Sequence, residues 1–400
     1  MLKFLTNNYH WVMLLLIWSV YACFGIVSGS LAPISPLLIT DLNFTYTQMG
    51  IILGFWQFIY IFTAMPTGNI IDKWQLKKSI TIGIIVMLAS MILRGLSMNF
   101  ISLLLSVGLF SFGGPIASSG SPKLVATWFK EKDRGIASGI YATGPVIGNA
   151  IAFASAPIIA INIFNNWRGV SIIYGIILIV ILIIWLILAK NKPANKPEMN
   201  IEKVSYKKLI KLNTVKIIML LSIIFFFISH SLGAWAPSVL IDKNFSITSA
   251  GYITSISTII SLISLIFITS IFKKGKRKDA IIYILLISAL ASLGIAFFSG
   301  LKLILSIFLI FSVKRALMPL STLILMEHKD IGPQKIGTAA GMFFASAEIG
   351  GFSGPFIIGF IRDLTNSHQI GFIFSAILCL TGIFLAFKLN ETEDYTVNNK

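Results

Sequence analysis

Twelve stretches of this chain are each long and apolar enough to cross a lipid bilayer, and nothing else in the sequence restricts the fold as much. They run roughly 11–39, 50–71, 79–98, 101–124, 136–162, 168–189, 216–240, 251–272, 280–298, 302–326, 337–360 and 370–389. A helix crosses the hydrocarbon core with about 20 apolar residues. Backbone polar groups find no water partner in lipid, so each span must satisfy them internally. The stretches are too long and too continuously apolar for barrel strands. The predicted class is all-α, a polytopic membrane protein. Composition agrees, with 56% hydrophobic and 12% charged residues, where a soluble domain carries about 25% charge.

The chain also repeats itself. Residues 41–50 read DLNFTYTQMG and 242–251 read DKNFSITSAG. Asp41, Asn43, Phe44, Thr47 and Gly50 meet Asp242, Asn244, Phe245, Thr248 and Gly251 at an offset of 201, and Pro36 and Pro237 keep it. Further on, Gly135 and Gly139 meet Gly337 and Gly341 at an offset of 202. One internal duplication among apolar spans is the plan of many secondary transporters. It predicts two pseudo-symmetric six-helix bundles, 1–189 and 216–400. Segment 190–215, rich in lysine and carrying two prolines, is the linker between them.

The net charge of +17 does not indicate nucleic acid, because the basic residues sit in short segments between apolar spans. Most of the 32 Lys and Arg fall at one set of span ends and in the tails, while Arg168, Lys243, Lys302 and Arg362 fall at the other. Short cytoplasmic loops are the basic ones. Both termini are therefore expected in the cytoplasm of a multi-pass plasma-membrane protein. The first apolar stretch is too long for the core of a cleavable signal. Cys23 and Cys379 lie within spans and read as packing residues, with no disulfide framework or metal-ligand spacing.

Three motifs then become recognisable. Gly68-Asn69-Ile70-Ile71-Asp72-Lys73-Trp74-Gln75-Leu76-Lys77-Lys78 joins spans 2 and 3. It resembles the signature loop of the major facilitator superfamily, with Gln75 where a second glycine is usual. Trp128 to Gly135, followed by Ala137-Ser138-Gly139, looks like the loop between spans 4 and 5 of that family. Gly144-Pro145-Val146-Ile147-Gly148 is similar to its Gly-Pro motif on span 5. In the second half, Lys273 to Asp279 keeps the basic loop and loses the leading Asp.

The resemblance implies roles for these residues. Asp72 and Lys73 with Arg134 would form a cytoplasmic gate, made in one conformation and broken in another. Asp72 is expected at the start of span 3, where a carboxylate suits a helix N-terminus; the alternative is an exposed surface pair. Gly144, Pro145 and Gly148 on span 5, and Gly350 and Gly351 on span 11, are expected at the seam between the bundles, where small residues allow close approach. Spans 1, 4, 7 and 10 of the family line its central cavity.

Ionisable residues inside spans are expensive and mark function by default. Lys314 and Arg315 lie near the middle of span 10 and point to an anion. Arg315 is the expected ligand, because its fork of donors suits a carboxylate. Lys314 is expected beside Glu348, and the competing reading has both cations neutralised as a structural network. Glu348 reads either as a coupling carboxylate or as a fixed counter-charge. His230, Trp235 and Tyr21 are candidate pocket residues, with packing as the alternative. Arg94 either snorkels to the outer headgroups or serves an anion; its Leu-Arg-Gly-Leu setting resembles family branches that carry cyanate, nitrate or small organic anions. Span 4 lacks the arginine frequent in the family.

The function expected is alternating-access transport of a small anionic solute, with a proton or counter-anion as the coupled ion. The competing classes are efflux of hydrophobic or cationic compounds and a transporter-derived sensor. No enzyme constellation, metal cluster, nucleotide loop or cofactor motif is found in the sequence. Because one chain carries both halves, a monomer suffices for a pathway.

Overall fold

The computed structural model describes residues 8–192, 209–272, 274–328, 331–389 and 391. Most of the expected linker lies outside them. In the first half α1 (Tyr9–Gly29) and α2 (Ser35–Leu42) share one apolar segment. They are followed by α3 (Tyr46–Trp74), α4 (Leu76–Gly95), α5 (Phe100–Trp128), α6 (Glu131–Ile158) and α7 (Arg168–Leu188). The second half comprises α8 (Asn213–Asp242), α9 (Ile247–Ile271), α10 (Arg277–Phe297), α11 (Gly300–Lys314), α12 (Leu317–Glu327), α13 (Gly332–Thr365) and α14 (His368–Phe387). Among the described residues 11 helical segments are long and apolar enough to cross a membrane. Helix α3, with 29 residues, takes the place of the remaining span. The protein is an all-α polytopic membrane protein.

The repeated decapeptide is a helix stop joined to a helix start. Asn43 and Asn244 have φ of 53° and 68°, in the left-handed region that asparagine tolerates better than most residues. That turn lets the Phe44 N–H donate to the Ile39 carbonyl at 3.0 Å, and the Phe245 N–H to the Leu240 carbonyl at 3.1 Å. The next hydroxyl caps the following helix. Thr45 Oγ1 accepts from the Gln48 N–H, and Ser246 Oγ from the Ser249 N–H, both at 3.1 Å.

A second duplicated device sits at the opposite membrane face. The Lys77 N–H donates to Asn191 Oδ1 at 3.1 Å, and its ammonium donates to the Leu186 carbonyl at 2.7 Å. Lys278 repeats this on Glu391 Oε1 at 2.7 Å and the Phe387 carbonyl at 2.8 Å. Each lysine ties the start of one helix to the carbonyl end of another, where a cation is favoured.

Gln75 separates α3 from α4 with φ 65° and ψ 148°, a conformation close to glycine-only that costs on the order of 1–3 kcal/mol. Its side chain accepts from Asn191 Nδ2 at 2.9 Å. We expect Gln75→Gly to raise stability by about 1 kcal/mol, the strain relieved exceeding the bond lost. Thermal unfolding of the purified variant measures this, and a lowered midpoint would refute the strain.

Helix α3 continues to Trp74, so Asp72 lies in its last turn and not at the start of the next helix. This corrects the expected position: the unusual backbone at Gln75 postpones the break, and the end of α3 is the unfavourable end of a helix dipole for a carboxylate. The side chains of Asp72 and Lys73 are outside those described.

The chain divides into two compact units, Met1–Pro197 with Leu240–Ile259, and Glu198–Val239 with Ile260–Lys400. The first unit includes the beginning of α9 for a local reason. Ser255 Oγ donates to the Ala150 carbonyl at 2.7 Å. Gly251 lies so close to the Phe153 carbonyl that a Cβ there would be 2.5 Å from the oxygen. Pro157 lacks the N–H that would otherwise bond that carbonyl four residues back. Pro115 likewise releases the Ser111 carbonyl within α5, and Thr63 Oγ1 of α3 donates to it at 2.7 Å.

Candidate functional site

Span 10 breaks at its charged pair. Helix α11 ends at Lys314, Arg315 is its C-cap, and α12 resumes at Leu317. Pro319 supplies the reason. It has no N–H for the Arg315 carbonyl four residues earlier, and its ring crowds that position. The segment Gly300–Glu327 is 28 residues long, so the break falls close to its middle. Discontinuous helices at mid-membrane depth expose backbone and ends of dipoles to bound solutes. Pro319 was a sequence signal that a search for ionisable residues alone passes over.

Two neighbouring helices, α8 and α9, hold the cations in place. Lys314 is 9% exposed. Its ammonium donates to the Ser229 carbonyl of α8 at 3.3 Å and lies 3.7 Å from the Phe311 ring centroid. Arg315 Nε donates to Ser261 Oγ of α9 at 3.0 Å. His230 follows Ser229, is within electrostatic reach of both cations, and its Nδ1 is 3.0 Å from the Phe226 carbonyl. The second unit thus brings His230, Lys314 and Arg315 together, and adds Ser261.

Glu348 stays apart from them. It is 7% exposed, and its Oε2 has no hydrogen-bond partner among the described residues. Lys314 and Glu348 do not pair, contrary to expectation. Helix geometry explains the separation. Gly350 faces α8, where a Cβ would be 2.0 Å from the Ile223 carbonyl. Glu348, two residues earlier, points about 200° away from that face, whereas Lys314 reaches toward α8.

Trp235 is fully buried. Its indole donates to the Pro355 carbonyl at 2.9 Å and its ring packs 5.3 Å from His368. It therefore holds α8 to α13. In the first unit Tyr21 belongs to an aromatic cluster with Phe24 (5.5 Å) and Tyr141 (6.3 Å), which Phe24 extends to Phe110 at 5.1 Å.

Arg94 does not snorkel outward. It is 2% exposed. Its Nη1 donates to the Val27 carbonyl at 2.7 Å and to Ser30 Oγ at 3.0 Å, and its guanidinium lies 5.7 Å from the Phe110 ring centroid. Helix α1 ends at Gly29, which leaves its last carbonyls without helical donors. Arg94 supplies one from α4.

The glycine motifs make close contacts within each unit. A Cβ on Gly148 would be 1.9 Å from the Ala22 carbonyl, and one on Gly144 3.0 Å from that of Trp18. The Pro145 carbonyl approaches Gly25 in the same way. These residues pack α6 on α1 within the first unit. Gly350 and Gly354 do the same for α13 on α8 in the second unit; Gly351 is buried on α13. Arg134 donates to the Ala126 and Phe129 carbonyls at 3.0 and 3.2 Å, capping the end of α5.

The sequence from residue 17 to 355 matches the model of the Major Facilitator Superfamily. The chain belongs to the Major Facilitator Superfamily. Among related members, the hexuronate transporter of Bacillus subtilis is 25% identical over 374 residues, covering 86% of each chain. The probable nitrate transporter NarT of Staphylococcus epidermidis is 25% identical over 374 residues, covering 91% of this chain and 92% of that one. In fold, the chain resembles the crystal structure of a bacterial homolog of the human lysosomal transporter Spinster. The TM-score is 0.78 at 15% identity, over 95% of this chain and 96% of that one. As a Major Facilitator Superfamily member the chain is a membrane transporter.

Proposed function

We propose that this protein moves a small anion across the membrane by alternating access of two six-helix halves, 1–189 and 216–400, joined by 190–215. The observation that carries the reading is the broken span 10. Two adjacent cations lie at the break, and Lys314 is held by a carbonyl and an aromatic face, with no carboxylate on it among the described residues. Removing an ammonium from water is costly, and an anionic solute at the break would offset that cost. Arg315 is the proposed principal ligand, Lys314 and His230 flank it, and Glu348 is a separate carboxyl available for coupling to a proton. The relatives named for hexuronate and nitrate support the sign of the charge. Both termini are proposed to be cytoplasmic, and the monomer is the working unit.

The test is uptake into proteoliposomes of a hexuronate, nitrate and a neutral hexose, each under an imposed proton gradient and without one. We expect saturable uptake of at least one anion and none of the hexose. Accumulation of a lipophilic cation with no anion flux would favour efflux. Ligand binding without any flux would make the protein a sensor.

A further inference from the structure

A separate group of cations lies in the first unit, where α1 begins and α5 and α7 end. The Lys190 ammonium is 4.1 Å from the centroid of the Tyr9 ring, and the Lys192 ammonium is 5.6 Å from that of Trp128. The two rings are 6.0 Å apart and tilted by 39°. His10 and Trp11 close on Phe129 at 4.9 and 5.2 Å. The Tyr9 hydroxyl donates to the Leu188 carbonyl, and the Lys190 N–H contacts Met13 Sδ at 3.4 Å, so three chain segments are tied together here. Among the described residues neither lysine meets a carboxylate, and Trp128 Nε1 is a buried donor with no acceptor.

The internal repeat acts as a control on what the fold itself requires. Lys77 and Lys278 make the same pair of bonds in the two halves. The second half then answers its cations with acids: Arg277 pairs with Glu327, and Glu391 receives the Lys278 N–H. In the first half neutral Asn191 does the work of Glu391, and the cations next to it rest on aromatic rings. The fold can therefore place a carboxylate at this level, as the second half does. A basic, aromatic cluster at the end of membrane spans, with no carboxylate on its lysines among the described residues, has the chemistry of a headgroup site. Aromatic rings settle at the membrane interface, and anionic headgroups attract lysines there.

We propose that this cluster binds the phosphate of an anionic phospholipid headgroup, with the ammoniums of Lys190 and Lys192 and the indole N–H of Trp128 as donors. Geometry allows the same chemistry from inorganic phosphate, so the test separates the two sources. The purified full-length protein would be reconstituted in nanodiscs of phosphatidylcholine alone, of phosphatidylcholine with phosphatidylglycerol, and of phosphatidylcholine with added inorganic phosphate. Thermal midpoints would be read in each, and co-purifying lipid counted by native mass spectrometry.

Phosphatidylglycerol should raise the midpoint of the wild type. Lys190→Gln with Lys192→Gln should lower phosphatidylglycerol retention on the order of tenfold and remove most of the shift. Trp128→Phe, which keeps the ring and removes the N–H, should lose part of it. Lys130→Gln with Lys132→Gln, basic residues at the start of α6, should retain it. An equal shift in the wild type and the Lys190/Lys192 double variant would overturn the site. So would a wild-type midpoint no higher with phosphatidylglycerol than in phosphatidylcholine alone. A shift reproduced by inorganic phosphate would overturn the lipid as its source.

Discussion

Arg315→Ala should abolish uptake of the transported anion while the protein still folds. The guanidinium is the group at the mid-span break best shaped to meet a carboxylate or nitrate with two parallel bonds. Losing a partly buried charge partner costs about 3–5 kcal/mol, equivalent to roughly a hundredfold to several thousandfold in affinity. For the folded state, the bond from Nε to Ser261 contributes about 1 kcal/mol to what alanine removes. Arg315→Lys should fall between the two, since it keeps the charge and loses the fork. Uptake rates and ligand-induced thermal shifts on both variants separate a lost ligand from a lost fold. An alanine variant with unchanged half-saturation for the anion would remove Arg315 from the site.

Gly148→Leu, and equally Gly350→Leu, should prevent stable assembly of the half that contains it. A first side-chain carbon would already lie 1.9 Å from the Ala22 carbonyl in one case and 2.0 Å from the Ile223 carbonyl in the other. Backbone cannot yield as a flexible side chain does, so α1 must separate from α6, or α8 from α13. Overpacking of a tight core commonly costs about 1–3 kcal/mol, and a clash with main chain belongs at or beyond the upper end. Even alanine should be harmful at these two positions. Gly139 and Gly341 make the contrast, because a Cβ there meets nothing within 4 Å. Alanine at either should be neutral or stabilising by about 0.5–1 kcal/mol, the usual gain inside a helix. Yield and thermal midpoint after purification measure both sets, and matching midpoints for Gly148→Ala and Gly139→Ala would contradict the packing argument.

Arg94 and the glycines show where sequence reasoning stopped. An arginine near the end of an apolar span has two ways to satisfy its charge, outward to headgroups or inward to unpaired carbonyls. Which it takes depends on whether a neighbouring helix ends beside it, and α1 ends there. A glycine motif declares that something approaches closely without naming the partner. Lys314 and Glu348 were two opposite charges at similar depth, and rotation around their helices separated them. Pro319 was legible throughout, since the loss of one backbone donor acts four residues away in the same chain.

The sequence alone determined that the chain lies in lipid, that it is helical and that it is duplicated. It also showed that cations stand in the middle of span 10. Those properties follow from hydropathy, from backbone hydrogen bonding and from residue identity, which are local quantities. Only the tertiary structure decided which helix each glycine touches, that Arg94 turns inward, and that Lys314 and Glu348 are held apart. Those outcomes depend on the rotation and neighbours of each helix, and a run of uniformly apolar residues carries almost no information about which face turns toward which neighbour.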